Sequence, residues 1–185
     1  MSWIKVINET EAQGQLKEIY ELLKSKRGKL SNIMKVQSLN PQAMKAHLDL
    51  YLSIMFRKSG LSREEQEMIA VVVSAVNGCN YCVNHHAEAL NFYWKNRGKL
   101  IRFQKNFRSV NFPERTRHML EYAEKLTQSP DKICESDIQK LRSVGFSDGN
   151  ILDINLIVSY FNFVNRIANG LGVHFDPEEV SGYKY

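Results

Sequence analysis

The sequence predicts an all-α fold, and three observations carry that expectation. Apolar residues recur at helical spacing in one window after another of the 185-residue chain. These windows open on capping residues or proline and close on glycine or proline. The one near-continuous apolar run, Met68, Ile69, Val71, Val72, Val73, Ala75 and Val76, is longer than an average strand and follows a capping pattern. About seven to nine helices are expected from these periodicities.

Taken in order, Thr10 with Gln13 has capping-box spacing, and Leu16, Ile19, Tyr20, Leu22 and Leu23 give an amphipathic packing helix ending near Arg27 and Gly28. Asn40 as cap and Pro41 at the first helical position start the next, which carries Met44, Leu48, Tyr51, Leu52, Met55 and Phe56 inward. His47 on this helix is read as exposed or hydrogen-bonded, without a catalytic role. Ser59 and Gly60 close it, and Ser62 with Glu65 forms a capping box for the apolar helix. Asn77 and Gly78 break that helix, since glycine leaves helical geometry readily and asparagine tolerates the same turn or caps a new helix. The helix that follows holds Cys79 and Cys82 in its first turn and runs through Leu90, Phe92 and Trp94 to about Asn96, Arg97 and Gly98.

From Trp94 to Arg108 the chain is basic and aromatic, a composition also found on nucleic-acid surfaces. Aromatics at helical spacing more often pack inward while lysine and arginine solvate the outer face, so no nucleic-acid partner is expected. Pro113 opens a helix with Met119, Leu120, Tyr122, Ala123 and Leu126 on its apolar face, and His118 beside that face reads as structural. Ser129 and Pro130 close it. Ser136 begins a short helix with Ile138 and Leu141, ending at Gly145, and Ser147 or Asp148 caps a long apolar helix from about Ile151 to Asn169. The tail from about residue 173, with Pro177 and Gly182, reads as an arm or loop. Aligning Gly60 with Gly145 also matches Ser62 with Ser147, Ile69 with Ile154, Val73 with Val158, Ser74 with Ser159, Asn77 with Asn162 and Asn80 with Asn165. This echo suggests two pseudo-repeated helical hairpins, only the first of which carries cysteines.

Composition fits one soluble domain over residues 1–185, with 43% hydrophobic residues and 24% charged. No apolar leader or membrane-length segment is evident, so a cytoplasmic protein is expected, with no membrane partner. The net charge of +5 only mildly favours anionic partners. Three cysteines do not make a disulfide framework, and the close pair is better read as redox or metal chemistry in a reducing compartment. Cys134 is read as a partly buried apolar residue.

Covalent chemistry is confined to Glu67 through His86. Cys79 and Cys82 are helical neighbours at i and i+3, near enough for a disulfide, and a helix N-terminus stabilises the reactive thiolate. His86 lies at i+4 from Cys82 on the same face, and His85 at i+3 is within reach. If the break at Asn77 and Gly78 folds the two helices together, Glu67 meets this group, and an apolar setting would raise its pKa toward neutral.

These residues resemble a known motif. Glu67, Cys79, Cys82 and His86 match the E-x(11)-C-x-x-C-x-x-x-H signature of the alkylhydroperoxidase D (AhpD)-like group within the carboxymuconolactone decarboxylase superfamily. Similarity to its peroxidase-related branch extends through Leu61 to Glu64, Gly145 to Asp148, Asn162 to Arg166 and Gly170 to Gly172. Tyr81 stands where classical members often carry histidine. The resemblance implies a thiol peroxidase in which Cys82 attacks a hydroperoxide, Cys79 resolves, and His86 and Glu67 relay the proton, with His85 and Tyr81 as possible supporting residues. It also implies a homo-oligomer and a thiol reductant such as a lipoyl-bearing or thioredoxin-like protein.

No nucleotide, flavin or haem motif appears, so the cysteine pair is the expected redox centre, without cofactor or resident metal. Three other readings keep the same residues. The dithiol could serve a protein disulfide oxidoreductase or thiol relay. Cys79, Cys82 and His86 could ligate a metal, with Glu67, His85 or water as fourth ligand. Or the cysteines could be spectators in an oligomeric helical scaffold.

Overall fold

Helix boundaries fall mostly where cap and stop residues place them. The structure, a computed structural model, describes residues 2–175 and 177–180, and these residues form helices and connecting turns with no strand. The helices are α1 (Gly14–Arg27), α2 (Asn32–Lys35), α3 (Pro41–Met55), α4 (Arg63–Val76), α5 (Asn80–Trp94), α6 (Arg97–Lys105), α7 (Glu114–Gln128), α8 (Glu135–Ser143), α9 (Asp148–Gly170) and α10 (Pro177–Val180). No helix among the described residues is long and apolar enough to cross a membrane.

Helix α4 is the hub. It is apolar on nearly every face, so it can only be stable surrounded by protein, and Ile69, Ala70, Val71 and Val73 are fully buried. It packs against α5, α7 and α9. Its start is fixed by the expected capping box: Ser62 Oγ accepts from Glu65 N–H at 3.1 Å, and Glu65 Oε2 accepts from Ser62 N–H at 2.8 Å. Its end is fixed by Gly78, whose φ of +62° is left-handed and turns α5 back along α4. A smaller cluster on α1, α2 and α3, built on Leu16, Ile19, Leu23, Met34, Met44 and Leu48, flanks this core.

Several expectations are corrected. Thr10 does not cap α1, because a turn intervenes in which Glu11 N–H donates to the Asn8 carbonyl and Glu11 Oε2 accepts from Asn8 N–H. Phe56 lies at the surface, its ring covered by the guanidinium groups of Arg27 and Arg63 at 4.7 and 4.2 Å. The basic stretch after Trp94 is a separate helix, α6, capped by Asn96. Its Leu100 and Phe103 are buried, with Trp94 edge-on to Phe103 at 5.1 Å, so those aromatics pack inward.

Cys134 is exposed rather than partly buried. It is the N-cap residue of α8, which begins at Glu135, and its sulfur lies 3.4 Å from Asp137 Oδ2. The second hairpin of the internal echo does not form. Where α4 breaks at Asn77 and Gly78, the matching Asn162 is followed by Phe163 instead of glycine, and α9 runs straight on to Gly170. The shared half of the echo is real in its caps, since Ser147 forms the same capping arrangement with Asn150. Part of the tail is α10, packed on α5. Gly182 lies outside the described residues.

Candidate active site

The α4–α5 hairpin brings Glu67 to the thiols' helix. Glu67 is 1% exposed, and a carboxylate so buried must be paired. Arg63, one turn earlier on α4, places Nη2 2.7 Å from Glu67 Oε1. His86 on α5 places Nδ1 2.7 Å from Glu67 Oε2. Burial alone would raise the Glu67 carboxyl, but His86 and Arg63 hold it below its ordinary value. The expected upward shift is therefore reversed. Glu67 is an anion that orients His86, because a ring Nδ1–H donated to a carboxylate leaves Nε2 as the accepting nitrogen. The ring is steadied edge-on by Phe161 at 4.5 Å.

Cys79 is the N-cap residue of α5, its N–H donating to the Ser74 carbonyl at 2.9 Å, and Cys82 lies one turn on. Both thiols are free and buried. The Cys82 thiol's hydrogen bond to Cys79 is the main cause that pulls the Cys79 pKa below its ordinary value, against burial, with backbone N–H groups and Asn165 adding to it. The same hydrogen bond, burial and the Cys79 charge push Cys82 well up, and Asn165 only partly offsets them. Asn165 is fully buried on α9; its Nδ2 donates to Ser74 Oγ at 3.1 Å and its Oδ1 accepts from Asn77 Nδ2 at 3.0 Å. It thus ties the α4–α5 turn to α9, and it favours the thiolate form of both cysteines.

Cys82, His86 and Glu67 line a cavity of about 100 Å³, whose other walls are largely apolar and aromatic, from Tyr51, Tyr160 and Phe161. Cys79 does not line it. His85 and Tyr81 reach the same cavity but are engaged by α10. Tyr81 donates its hydroxyl hydrogen to Glu179 Oε1 at 2.7 Å and accepts from Ile33 N–H at 3.2 Å, while His85 Nε2 sits 3.8 Å from Glu179 Oε1. Glu179 also accepts from Asn32 N–H at 2.6 Å. Among the described residues no group of three or more His, Cys, Asp or Glu is arranged to hold a metal ion.

Sequence reasoning gave Arg63, Asn165, Tyr160 and His47 no place at the site. Arg63 stands at i–4 from Glu67, a legible ion-pair spacing. Asn165 appears in the internal echo as the match of Asn80. His47 shares a helical face with Met44, Leu48 and Met55 and is buried with them, so of the two readings, exposed or hydrogen-bonded, it is the hydrogen-bonded one. Nothing in the local pattern marks Tyr160 apart from a core aromatic.

The carboxymuconolactone decarboxylase family matches at residues 41–92, which run from α3 through both cysteines and His86. A solved structure of an uncharacterized peroxidase-related protein from Silicibacter sp. TM1040 is 30% identical, over 99% of this chain and 96% of that one, with a TM-score of 0.87. The chain belongs to the carboxymuconolactone decarboxylase family. Another structure of this family's AhpD core, an uncharacterized peroxidase-related protein from Ralstonia eutropha JMP134, is 28% identical over 97% of this chain and 94% of that one, also at TM-score 0.87. The debrominase Bmp8 shares the fold at TM-score 0.78 and 21% identity, over 95% of this chain and 96% of its own. The fold is thus that of AhpD-like, peroxidase-related members of the carboxymuconolactone decarboxylase family.

Proposed function

We propose that this protein is a dithiol peroxidase that reduces small organic hydroperoxides, with Cys82 attacking and Cys79 resolving. The observation that supports this most is that Cys82 lines the cavity one turn from His86, a histidine oriented by a buried, ion-paired carboxylate. The first proton lost from the cysteine pair belongs to both sulfurs. Access then selects the nucleophile, since Cys79 is acidic but does not line the cavity.

His86 takes a proton from the pair, and the Cys82 sulfur attacks the terminal peroxide oxygen. The O–O bond breaks as the S–O bond forms, the alkoxide is protonated to the alcohol, and Cys82 becomes a sulfenic acid. Cys79 then displaces the hydroxyl as water, forming the disulfide. The peroxide gains the two electrons that the dithiol loses. A dithiol reductant, lipoyl-bearing or thioredoxin-like, reopens the pair by exchange.

The test is stopped-flow oxidation of the reduced, metal-stripped protein by tert-butyl hydroperoxide, counting thiols before and after. The expected result is rapid loss of two thiols, abolished in Cys82→Ser. A dithiol that ignores peroxide yet exchanges quickly with disulfides would instead make this a thiol relay.

A further inference from the structure

The cavity holds a second buried polar chain that the thiol chemistry above does not use. His47 of α3 and Tyr160 of α9 both line the cavity, 4% and 6% exposed, and His47 Nε2 lies 2.7 Å from the Tyr160 hydroxyl. On the other side of the ring, Gln37 Nε2 lies 2.8 Å from His47 Nδ1. That same nitrogen is 2.7 Å from the Ile33 carbonyl, which can only accept, so this end of the Gln37 side chain is the donating amide.

These contacts give the chain a direction. Gln37 Oε1 also lies 3.1 Å from His47 Nδ1, but the amide nitrogen is the nearer partner, so Gln37 donates to Nδ1, and the neutral ring then carries its proton on Nε2 and donates it to the Tyr160 oxygen. Burial holds the His47 pKa down to about 4, which keeps the ring neutral at physiological pH. The Tyr160 hydroxyl, its oxygen already accepting from His47, has its own hydrogen left to give. The ring is fixed by stacking on Tyr51 at 5.7 Å and by Phe161 edge-on at 5.1 Å. Burial first, then Tyr51 and Cys82, push the Tyr160 pKa well up, and Tyr160 and Cys82 line the same cavity.

We propose that Tyr160 is a catalytic hydrogen donor to the leaving oxygen of the peroxide, and that His47 and Gln37 are positioning residues that aim it. This rests on the dithiol peroxidase reading and deepens it. Cys82 approaches the terminal oxygen from one wall while Tyr160, on another, gives its proton to the alkoxide as the O–O bond breaks. The resulting tyrosinate is held by His47 Nε2–H. It recovers a proton through solvent, balancing the one His86 took from the thiols. The cavity, somewhat smaller than the ~150 Å³ apolar cavity that admits benzene, suits a small alkyl hydroperoxide.

The test varies the leaving group. Thiol oxidation is followed with tert-butyl hydroperoxide, whose alkoxide needs a proton, and with peracetic acid, whose carboxylate does not. Tyr160→Phe is expected to slow the first about 100-fold and the second by no more than about threefold. His47→Leu should act in the same selective way, and His47→Gln, which keeps a donor, should restore much of the rate. Equal slowing with both oxidants, no slowing with either, or altered iodoacetamide alkylation of Cys82 in Tyr160→Phe overturns the role given to Tyr160. Wild-type protein inert to both oxidants overturns the peroxidase reading itself.

Discussion

Glu67 shows how the same residue changes meaning once its neighbours are known. An isolated glutamate in an apolar setting would be protonated near neutral pH, but between Arg63 and His86 it is an anion. Glu67→Gln leaves the Arg63 cation buried without its partner, so we expect about 3 kcal/mol of destabilisation in urea unfolding, together with a loss of peroxide reactivity. The pH dependence follows from the downward shift. A carboxyl whose folded pKa lies below its ordinary 4.5 stabilises the fold fully above that value and loses the contribution as pH falls through the folded value. The stability gap between wild type and Glu67→Gln should therefore narrow on acidification below about pH 4.5; a constant gap from pH 7 to pH 3 would contradict the charged assignment. The thiols give a second expectation at this scale. In alkylation titrations, Cys79 in the Cys82→Ser protein should react with a lower apparent pKa than Cys82 in the Cys79→Ser protein, because the helix-terminal sulfur has the N–H donors. The reverse order would remove the pair asymmetry described above.

At the scale of elements, the site depends on one turn and one crossing. Gly78 is left-handed, and a methyl group there would meet no atom within 4 Å, so the cost of Gly78→Ala is purely conformational. We expect about 1–2 kcal/mol lost in denaturant unfolding, with slower peroxide oxidation as Cys79 shifts on its strained turn. The crossing is that of α4 and α5 on α9 through Asn165. Asn165→Ala strips partners from Ser74 and Asn77 and removes an influence that lowers the pKa of both thiols. We expect about 1–3 kcal/mol of destabilisation and a rise in the Cys79 pKa, read by the same alkylation titration; an unchanged thiol profile would mean that Asn165 serves packing alone. The α4–α5 turn was legible, because Asn77 and Gly78 announce it locally. The long α9 was legible too, from its cap at Ser147 and its apolar run to Asn169; the second hairpin suggested by the echo was not borne out, since a break there needs a glycine after Asn162 and the chain has Phe163.

Across the whole molecule, α10 closes on the site's helix from far along the chain. Glu179, from the stretch read as an arm or loop, accepts from Tyr81, Asn32 N–H and Asn32 Nδ2, so the position that departs from the usual motif, Tyr81, serves as a clasp between α5, α2 and α10. Glu179→Ala should speed hydrogen exchange at the amides of Asn32 and Ile33, whose N–H groups it and Tyr81 hold; unchanged protection would show that the clasp carries no load. By itself the sequence determined the all-α class, most helix boundaries and the motif of Glu67, Cys79, Cys82 and His86. Those depend on caps, glycines and 3.6-residue periodicity, which act within a few residues. The tertiary structure decided what the sequence left open: the charge state of Glu67, the burial of His47 against Tyr160, the influence of Asn165 on the thiols, and the partner of Tyr81. Each joins residues from separate helices, and local periodicity carries no information about which polar side chains meet once those helices pack.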